Sequence, residues 1–382
     1  MYAQSQHARS IEMAWAAPQY SREYVNIAGR SLIAEEGSIT LDERNNALEV
    51  INNWRSSHSF PLQCLKMALT KRAKKIDSKA IIAQRLKRLP SIDAKLKQHA
   101  DWMKLTQMQD IGGCRAILRS VRSVEKLVTL YKEATAKSPK RGHQFHHEND
   151  YIAHPKDDGY RSHHLVFRYR TVGQKNKAYG GLKVEIQIRT SLQHAWATAV
   201  ETVATFTGQA LKSRGGDEYW KRFFALMGSA IAMRERKPLV PNTPTSRYEL
   251  VRELRELTTT LNVETVLEAW RISVQEITMK HVTKDTVAFL LYLDPEKRKV
   301  KFNSYTLAEM PRASVEYLEW EKEIELHVVP GAQAVLVSVS SLQSLRRAYP
   351  NYYLDTSAFV EALRYAIRPL RISADPRQGR LF

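Results

Sequence analysis

The sequence predicts an α+β chain, with mixed helix and sheet up to about Lys237 and then a smaller strand-rich region flanked by helices. Three observations carry that prediction. Val184-Glu185-Ile186-Gln187-Ile188-Arg189 alternates with period two, so three aliphatics take one face of a strand and Glu185, Gln187 and Arg189 the other. Gln109-Asp110-Ile111-Gly112-Gly113-Cys114-Arg115-Ala116-Ile117-Leu118 is an acid and a glycine pair leading into a short apolar strand. Beyond Pro238-Leu239-Val240-Pro241-Asn242-Thr243-Pro244, the clearest linker, the pattern is helical over 248–261 and 263–272. It becomes strand-like over 286–293, 300–305, 324–329 and 335–339 and closes on a helix over 357–367.

Upstream, residues 71–97 are rich in Lys and Arg against only Asp77 and Asp93. Ile81, Ile82, Leu86 and Leu89 recur at helical spacing, so a basic amphipathic helix ending before Pro90 is expected. Most of its charges read as a solvated face.

A strand like 184–189 packs one side and presents chemistry on the other. Alone, such a run is as well read as the solvated face of an antiparallel strand. A D-x-G-G turn is likewise common punctuation. Together the two segments place Asp110 at one strand mouth and Glu185 on another strand, and Mg²⁺ on a triphosphate usually takes only one or two protein carboxylates. Arg115, just inside the first strand, would neutralise phosphate charge.

Tyr151-Ile152-Ala153-His154-Pro155-Lys156-Asp157-Asp158-Gly159-Tyr160-Arg161-Ser162-His163-His164 reads as a loop entering the strand Leu165-Val166-Phe167-Arg168-Tyr169. A polar hairpin connection is its plain reading. Its wealth of Tyr, Lys, Arg, Ser and His suits a base and its phosphates, and a stack on Tyr160 would contribute about 1 to 3 kcal/mol by analogy with single-stranded nucleic-acid binders. On the helix that follows, His194 and Glu201 share a face. A helix cap or a buried His–Glu pair accounts for them equally well.

The chain has 382 residues and a formal net charge of +19, enough length for two or three domains and a charge suited to a polyanionic partner. No 18-residue apolar run or signal-peptide core is present, so a cytoplasmic protein without a membrane partner is expected. Cys64 and Cys114 are too few for a disulfide framework or a cysteine zinc site. His143, His146 and His147 lack the spacing of a metalloprotease helix and read as loop residues.

In order and spacing, Arg85-Leu86-Lys87 with Ser91 and Lys95, Asp110 to Arg115, Gly159 to His164, and Glu185 to Thr190 through His194 to Glu201 resemble the synthetase domain of the RelA/SpoT homologue superfamily. The resemblance implies a nucleotidyltransferase-like mixed sheet with flanking helices, and transfer of pyrophosphate from ATP to a ribose 3′-hydroxyl. It implies that Arg85, Lys87, Ser91, Lys95 and Arg115 bind ATP, that Asp110 holds Mg²⁺, and that Glu185 binds the metal or draws the proton from the hydroxyl. Lys156, Tyr160, Arg161, Ser162, His164, Gln187, Arg189 and His194 would bind the acceptor, Tyr160 stacking on its base. No histidine-aspartate hydrolase signature lies upstream, so alarmone hydrolysis is not expected.

Two further stretches resemble a narrower group. Tyr20 to Gly29 is similar to the opening helix of toxic small synthetases, and Tyr349-Pro350-Asn351-Tyr352-Tyr353-Leu354-Asp355-Thr356 looks like the tyrosine motif of CapRel-type fused toxin–antitoxin proteins. This implies a toxic synthetase over 1–260 and, over 261–382, a regulatory pseudo-zinc-finger domain with helical anchors. Tyr349 and Tyr352 would cover the adenine site until a phage protein such as the capsid binds, and the acceptor would be the 3′-CCA end of tRNA. The alternative acceptors are GDP, GTP or adenine nucleotides, giving alarmones. A monomer is expected.

Overall fold

α1 (Arg22–Leu32) starts where the Ser21 hydroxyl accepts from the Tyr24 N–H, and α2 (Leu41–Ser56) starts at a reciprocal cap between Thr40 and Glu43. α3 (Ser59–Ile76) buries Leu62, Leu65, Leu69 and Ala73 on one stripe. The computed structural model describes residues 15–35, 37–137, 143–171, 176–207, 216–272, 275–278, 283, 285–294, 299–306, 308–327, 332–338 and 356–368. Tyr349 and Tyr352 lie outside the described residues.

The single basic helix expected within 71–97, ending before Pro90, does not form. α3 ends at Ile76, residues 81–86 are the strand β1 (Ile81–Leu86), and α4 (Leu89–Gln98) begins with Pro90 in its first turn. Two physical reasons account for the error. Short apolar runs are compatible with either period, and here a neighbouring strand decides the outcome. Proline, moreover, starts helices as readily as it ends them, because the first turn has no use for its missing N–H.

The partner of β1 is β2 (Gly112–Leu118), antiparallel to it and parallel to β5 (Lys183–Thr190). β4 (His163–Arg168) and β3 (Gln144–Asp150) extend the sheet antiparallel on the far side of β5. His146 and His147, expected in a loop, lie in β3, an edge strand where alternating polar side chains face solvent; His143 just precedes it and stacks on Tyr169. α3 and α5 (Val121–Lys137) cover the apolar face, where Ile82, Cys114, Ala116, Val184, Ile186 and Ile188 point inward. The residues between them along each strand face the other way. That second face is the polar one.

β1 is not the sheet edge, because β9 (Gln333–Ser338) pairs antiparallel with it at Gln84 and Arg85. β9 in turn joins β7 (Thr286–Asp294), β8 (Lys299–Thr306) and β6 (Gln275–Thr278), giving the order β3-β4-β5-β2-β1-β9-β7-β8-β6 among the described strands. α10 (Met310–His327) packs on this second half through Ala313 and Tyr317. Residues 324–327, expected to open a strand, are the last turn of α10, again a short apolar run whose period is ambiguous.

α6 (Ser191–Thr207), α7 (Gly216–Glu235), α8 (Arg247–Thr260), α9 (Val263–Ile272) and α11 (Ser357–Ala366) share one core around Trp196, Phe223, Phe224, Leu254, Leu267 and Phe359. The step from 260 to 261 falls between α8 and α9, inside that cluster. No helix among the described residues is long and apolar enough to cross a membrane.

Candidate active site

Strand register assembles the site. Arg85, Gly113 and Glu185 stand opposite one another across β1, β2 and β5, and one step along, Ala83, Arg115, Gln187 and His164 do the same across four strands. Direct cross-strand partners point to the same face, so both rows line the polar side of the sheet. Gly113 leaves the middle of the first row empty. A side chain there would meet nothing within 4 Å. The result is an open cleft lined by Ala83, Arg85, Lys87, Asp110, Gly113, Cys114, Arg115, Glu185 and Gln187.

Asp110 stands at the mouth of β2, as its sequence context indicates. Lys87 Nζ reaches its Oδ2 at 2.8 Å and Lys95 Nζ its Oδ1 at 2.9 Å. Burial pushes the carboxyl up, but the two ammonium groups more than offset it and hold Asp110 down at about 2. Burial pushes the Lys87 ammonium down, against the pull of Asp110. Of the residues assigned to ATP, Arg85, Lys87 and Arg115 line the cleft and Lys95 reaches it through Asp110. Ser91 is half-buried in the first turn of α4, off the lining.

Glu185 is buried and held from both sides. His164 Nδ1 lies 2.9 Å from its Oε1, and Gln187 Nε2 donates to its Oε2 at 2.7 Å. The ring's other nitrogen faces the Tyr160 hydroxyl at 2.9 Å. With Nδ1 carrying the proton toward the carboxylate, Nε2 accepts from the tyrosine. Burial pushes the Glu185 carboxyl up and Asp110 adds to that push. The bonds from His164 and Gln187 win, and the group rests below its ordinary value. It is therefore an ionised, oriented carboxylate at neutral pH.

The loop before β4 makes its sharp approach at Gly159, whose φ is +94° and where a Cβ would meet the Phe224 carbonyl at 2.9 Å. Tyr160 follows, its ring edge-on to Tyr151 and Trp196, with Lys156 Nζ 5.5 Å from its centroid and 4.8 Å from that of Tyr151. Tyr151, which no residue-level assignment reached, thus belongs to this aromatic and cationic group. Its position at the opening of the Tyr- and Lys-bearing loop was the signal that could have found it.

Arg161 does not join the group, and Ser162 meets it through a side-chain hydrogen bond with Tyr160. Arg161 is buried and donates from Nη1 to the Ile152 carbonyl and from Nη2 to the Pro238 carbonyl, while the Ser162 hydroxyl faces the Ile188 carbonyl. Both pin the loop to the scaffold. Arg189 and His194 are buried partners of each other, Arg189 Nη2 donating to His194 Nδ1. Arg189 Nε has no hydrogen-bond partner. Burial, with Arg115 and Arg85 adding repulsion, brings Arg189 down to about 9, against a partial pull from Tyr160 and Glu201. Arg85 and Arg115 line the cleft, and Arg189 lies buried near enough to repel both, a cationic group suited to a polyanion.

Residues 84–208 match the family model described as a region found in RelA / SpoT proteins. That region of the chain is similar to the one found in RelA / SpoT proteins. Over 101 residues it is 36% identical to GTP pyrophosphokinase YjbM of Bacillus subtilis (strain 168), a stretch that covers 25% of this chain and 41% of that relative. Two solved structures are also similar. The small alarmone synthetase 1 of Bacillus subtilis bound to its product pppGpp is 26% identical, with a TM-score of 0.35 and coverage of 47% of this chain and 89% of that one. A GTP pyrophosphokinase family protein from Streptococcus pneumoniae is 24% identical, with a TM-score of 0.36 and coverage of 52% and 95%. The RelA/SpoT region contains β1 onward from Gln84, Asp110, the 151–164 loop and all of β5, so every residue of the cleft except Ala83 falls inside it.

Proposed function

We propose that this chain is an ATP-dependent pyrophosphokinase that transfers the β,γ-pyrophosphoryl group of ATP to a ribose 3′-hydroxyl. The observation that carries the reading is one cleft with Asp110 and its two lysines at one end, Glu185 fixed by His164 and Gln187 at the other, and Arg85 and Arg115 lining it. The acceptor oxygen bonds to the β-phosphorus as the bond from that phosphorus to the α-phosphate oxygen breaks. AMP leaves, and the hydroxyl proton passes to Glu185. Such chemistry is mostly positioning and charge stabilisation, which the cationic group supplies. Lys87 and Lys95 would turn from Asp110 to the phosphates as ATP enters.

Asp110 and Glu185 are two hard oxygen donors lining one cleft. That fits Mg²⁺, which dehydrates reluctantly and takes the rest of its shell from phosphates and water. Bound there by Asp110, with Glu185 as second donor, Mg²⁺ would offset phosphate charge.

Two acceptors have support. Likeness to a GTP pyrophosphokinase favours a guanosine nucleotide and an alarmone product. The +19 charge favours tRNA, whose 3′-CCA end would enter the cleft while its phosphates lie on the basic surface. On the tRNA reading the chain is an anti-phage fused toxin–antitoxin, silenced by Tyr349 and Tyr352 over the adenine site and released by a phage protein such as the capsid. Support for that regulation comes from β9, which brings the chain beside Arg85 shortly before those tyrosines.

The deciding experiment incubates full-length protein and its Tyr352→Ala variant with Mg²⁺, ATP labelled in the transferred phosphates, and either tRNA or GDP and GTP. Label on tRNA, lost steeply with added salt, supports the toxin. Label on guanosine nucleotides alone supports the alarmone synthetase. No transfer to either acceptor by either protein ends the pyrophosphokinase reading.

A further inference from the structure

A buried polar knot lies behind the cleft, between α2 and α10. Arg55 is 2% exposed and Glu321 7%. Arg55 Nη1 donates to Glu321 Oε2 at 2.7 Å and to Asn52 Oδ1 at 2.9 Å. Its Nη2 donates to the Tyr317 hydroxyl at 2.8 Å and Glu321 Oε1 at 3.2 Å, and the tyrosine donates on to Oε1 at 2.7 Å. Buried ion pairs contribute little net stability, since desolvation offsets their attraction. Their worth here lies in two main-chain groups they also grip.

Arg55 Nε donates to the Lys87 carbonyl at 3.0 Å, and the Leu89 N–H donates to Glu321 Oε1 at 3.0 Å. These groups bracket Arg88, the turn from β1 into α4. The cap residue of α4, Arg88, makes no side-chain capping bond to the helix, and the Glu321 carboxylate serves as the anion at that helix start. Lys87 stands on one side of the turn and Lys95 on α4 on the other. They are the two cations on Asp110. β9 holds the same strand from its edge at Gln84 and Arg85.

We propose that Glu321, with Arg55, is a positioning residue for the phosphate-binding lysines: α10 of the C-terminal half fixes the β1–α4 turn and thereby sets Lys87 and Lys95. The ligand in this inference, ATP, rests on the pyrophosphokinase reading. It follows that lifting the C-terminal half away as a whole weakens ATP binding. A releasing partner that activates the enzyme must therefore leave α10 docked.

The test measures binding of a non-hydrolysable ATP analogue with Mg²⁺ to full-length protein by calorimetry, and amide exchange at Leu89. Glu321→Ala is expected to weaken binding tenfold or more, the scale of a lost hydrogen bond to a charged group, and to speed exchange at Leu89. Glu321→Gln, which keeps an acceptor for that N–H, recovers part of both. Glu253→Ala breaks the Arg222–Glu253 pair between α7 and α8 and serves as the stability control. It should leave the affinity unchanged. Wild-type affinity in folded Glu321→Ala, or equal weakening by Glu253→Ala, overturns the proposal. If Glu321→Ala does not fold, Arg55→Lys, which drops the bond to the Lys87 carbonyl, decides by the same readings. If the wild type binds no analogue, the same substitutions are read in the Tyr352→Ala background, where the adenine site is uncovered; if that protein also binds none, the pyrophosphokinase reading has failed, and exchange at Leu89 alone decides whether Glu321 sets the turn.

Discussion

Glu185 and Gln187, two residues apart on β5, are joined side chain to side chain, Gln187 Nε2 donating to Glu185 Oε2 at 2.7 Å. The same amide turns its oxygen toward Arg115, 3.4 Å from both Nε and Nη2. One glutamine therefore bridges a buried carboxylate and a guanidinium. Neighbours on one strand face can do this only because strand alternation returns every second side chain to the same side.

Asp110→Ala and Glu185→Ala should each lower pyrophosphate transfer by about 10²-fold or more, since each removes a group acting on the transition state. Steady-state rates on protein of confirmed near-native thermal midpoint provide the check. Transfer at the wild-type rate by either variant removes that residue from the mechanism.

His164→Ala should shift the pH dependence. The hydrogen bond from His164 helps hold the Glu185 carboxyl below its ordinary value, and burial pushes the other way. Without the ring the pKa rises, and a base must be ionised to work. The acidic limb of the pH–rate profile should move to higher pH, with the loss greatest in mild acid. An unmoved limb would show that His164 does not orient or tune the base.

His58 ties stability to pH. It is buried with Nδ1 2.7 Å from the Trp54 carbonyl, and burial brings its pKa from 6.5 to about 4. The unfolded chain binds the proton first as pH falls, so stability is complete above about 6.5 and declines toward 4, by about 3 kcal/mol at most. Urea unfolding at several pH values tests this against His58→Phe, which cannot titrate and can keep the edge contact with Trp54. Equal slopes for the two proteins would refute it.

Arg161→Ala separates scaffold from site. It leaves the Ile152 and Pro238 carbonyls without their buried donor, a loss of roughly 1 to 3 kcal/mol for each unsatisfied group. Chemical denaturation should register that cost while the acceptor KM stays close to wild type. A stable variant with a raised KM would return Arg161 to the binding site.

Much of the cleft was legible before any coordinates, because its residues are fixed by short-range rules. Alternation over 184–189 put Val184, Ile186 and Ile188 in the core and Glu185 and Gln187 on the working face. The glycine pair after Asp110 marked where a strand begins. The loop's tyrosine and lysine came together as their density suggested. Arg161 carries the right chemical group for the same task, and only packing shows it turned inward.

What local pattern determined, then, was the polar strand face with Glu185 on it and Asp110 at the mouth of the next strand, since side-chain direction on a strand follows from backbone geometry alone. Tertiary structure decided the rest: that 81–86 is a strand, because β2 and β9 offer it hydrogen bonds on both edges, and that Arg55 meets Glu321 across 266 positions of sequence. A contact of that separation leaves no periodic trace in either segment. It exists only when the sheet is assembled and brings α10 against the turn that carries Lys87.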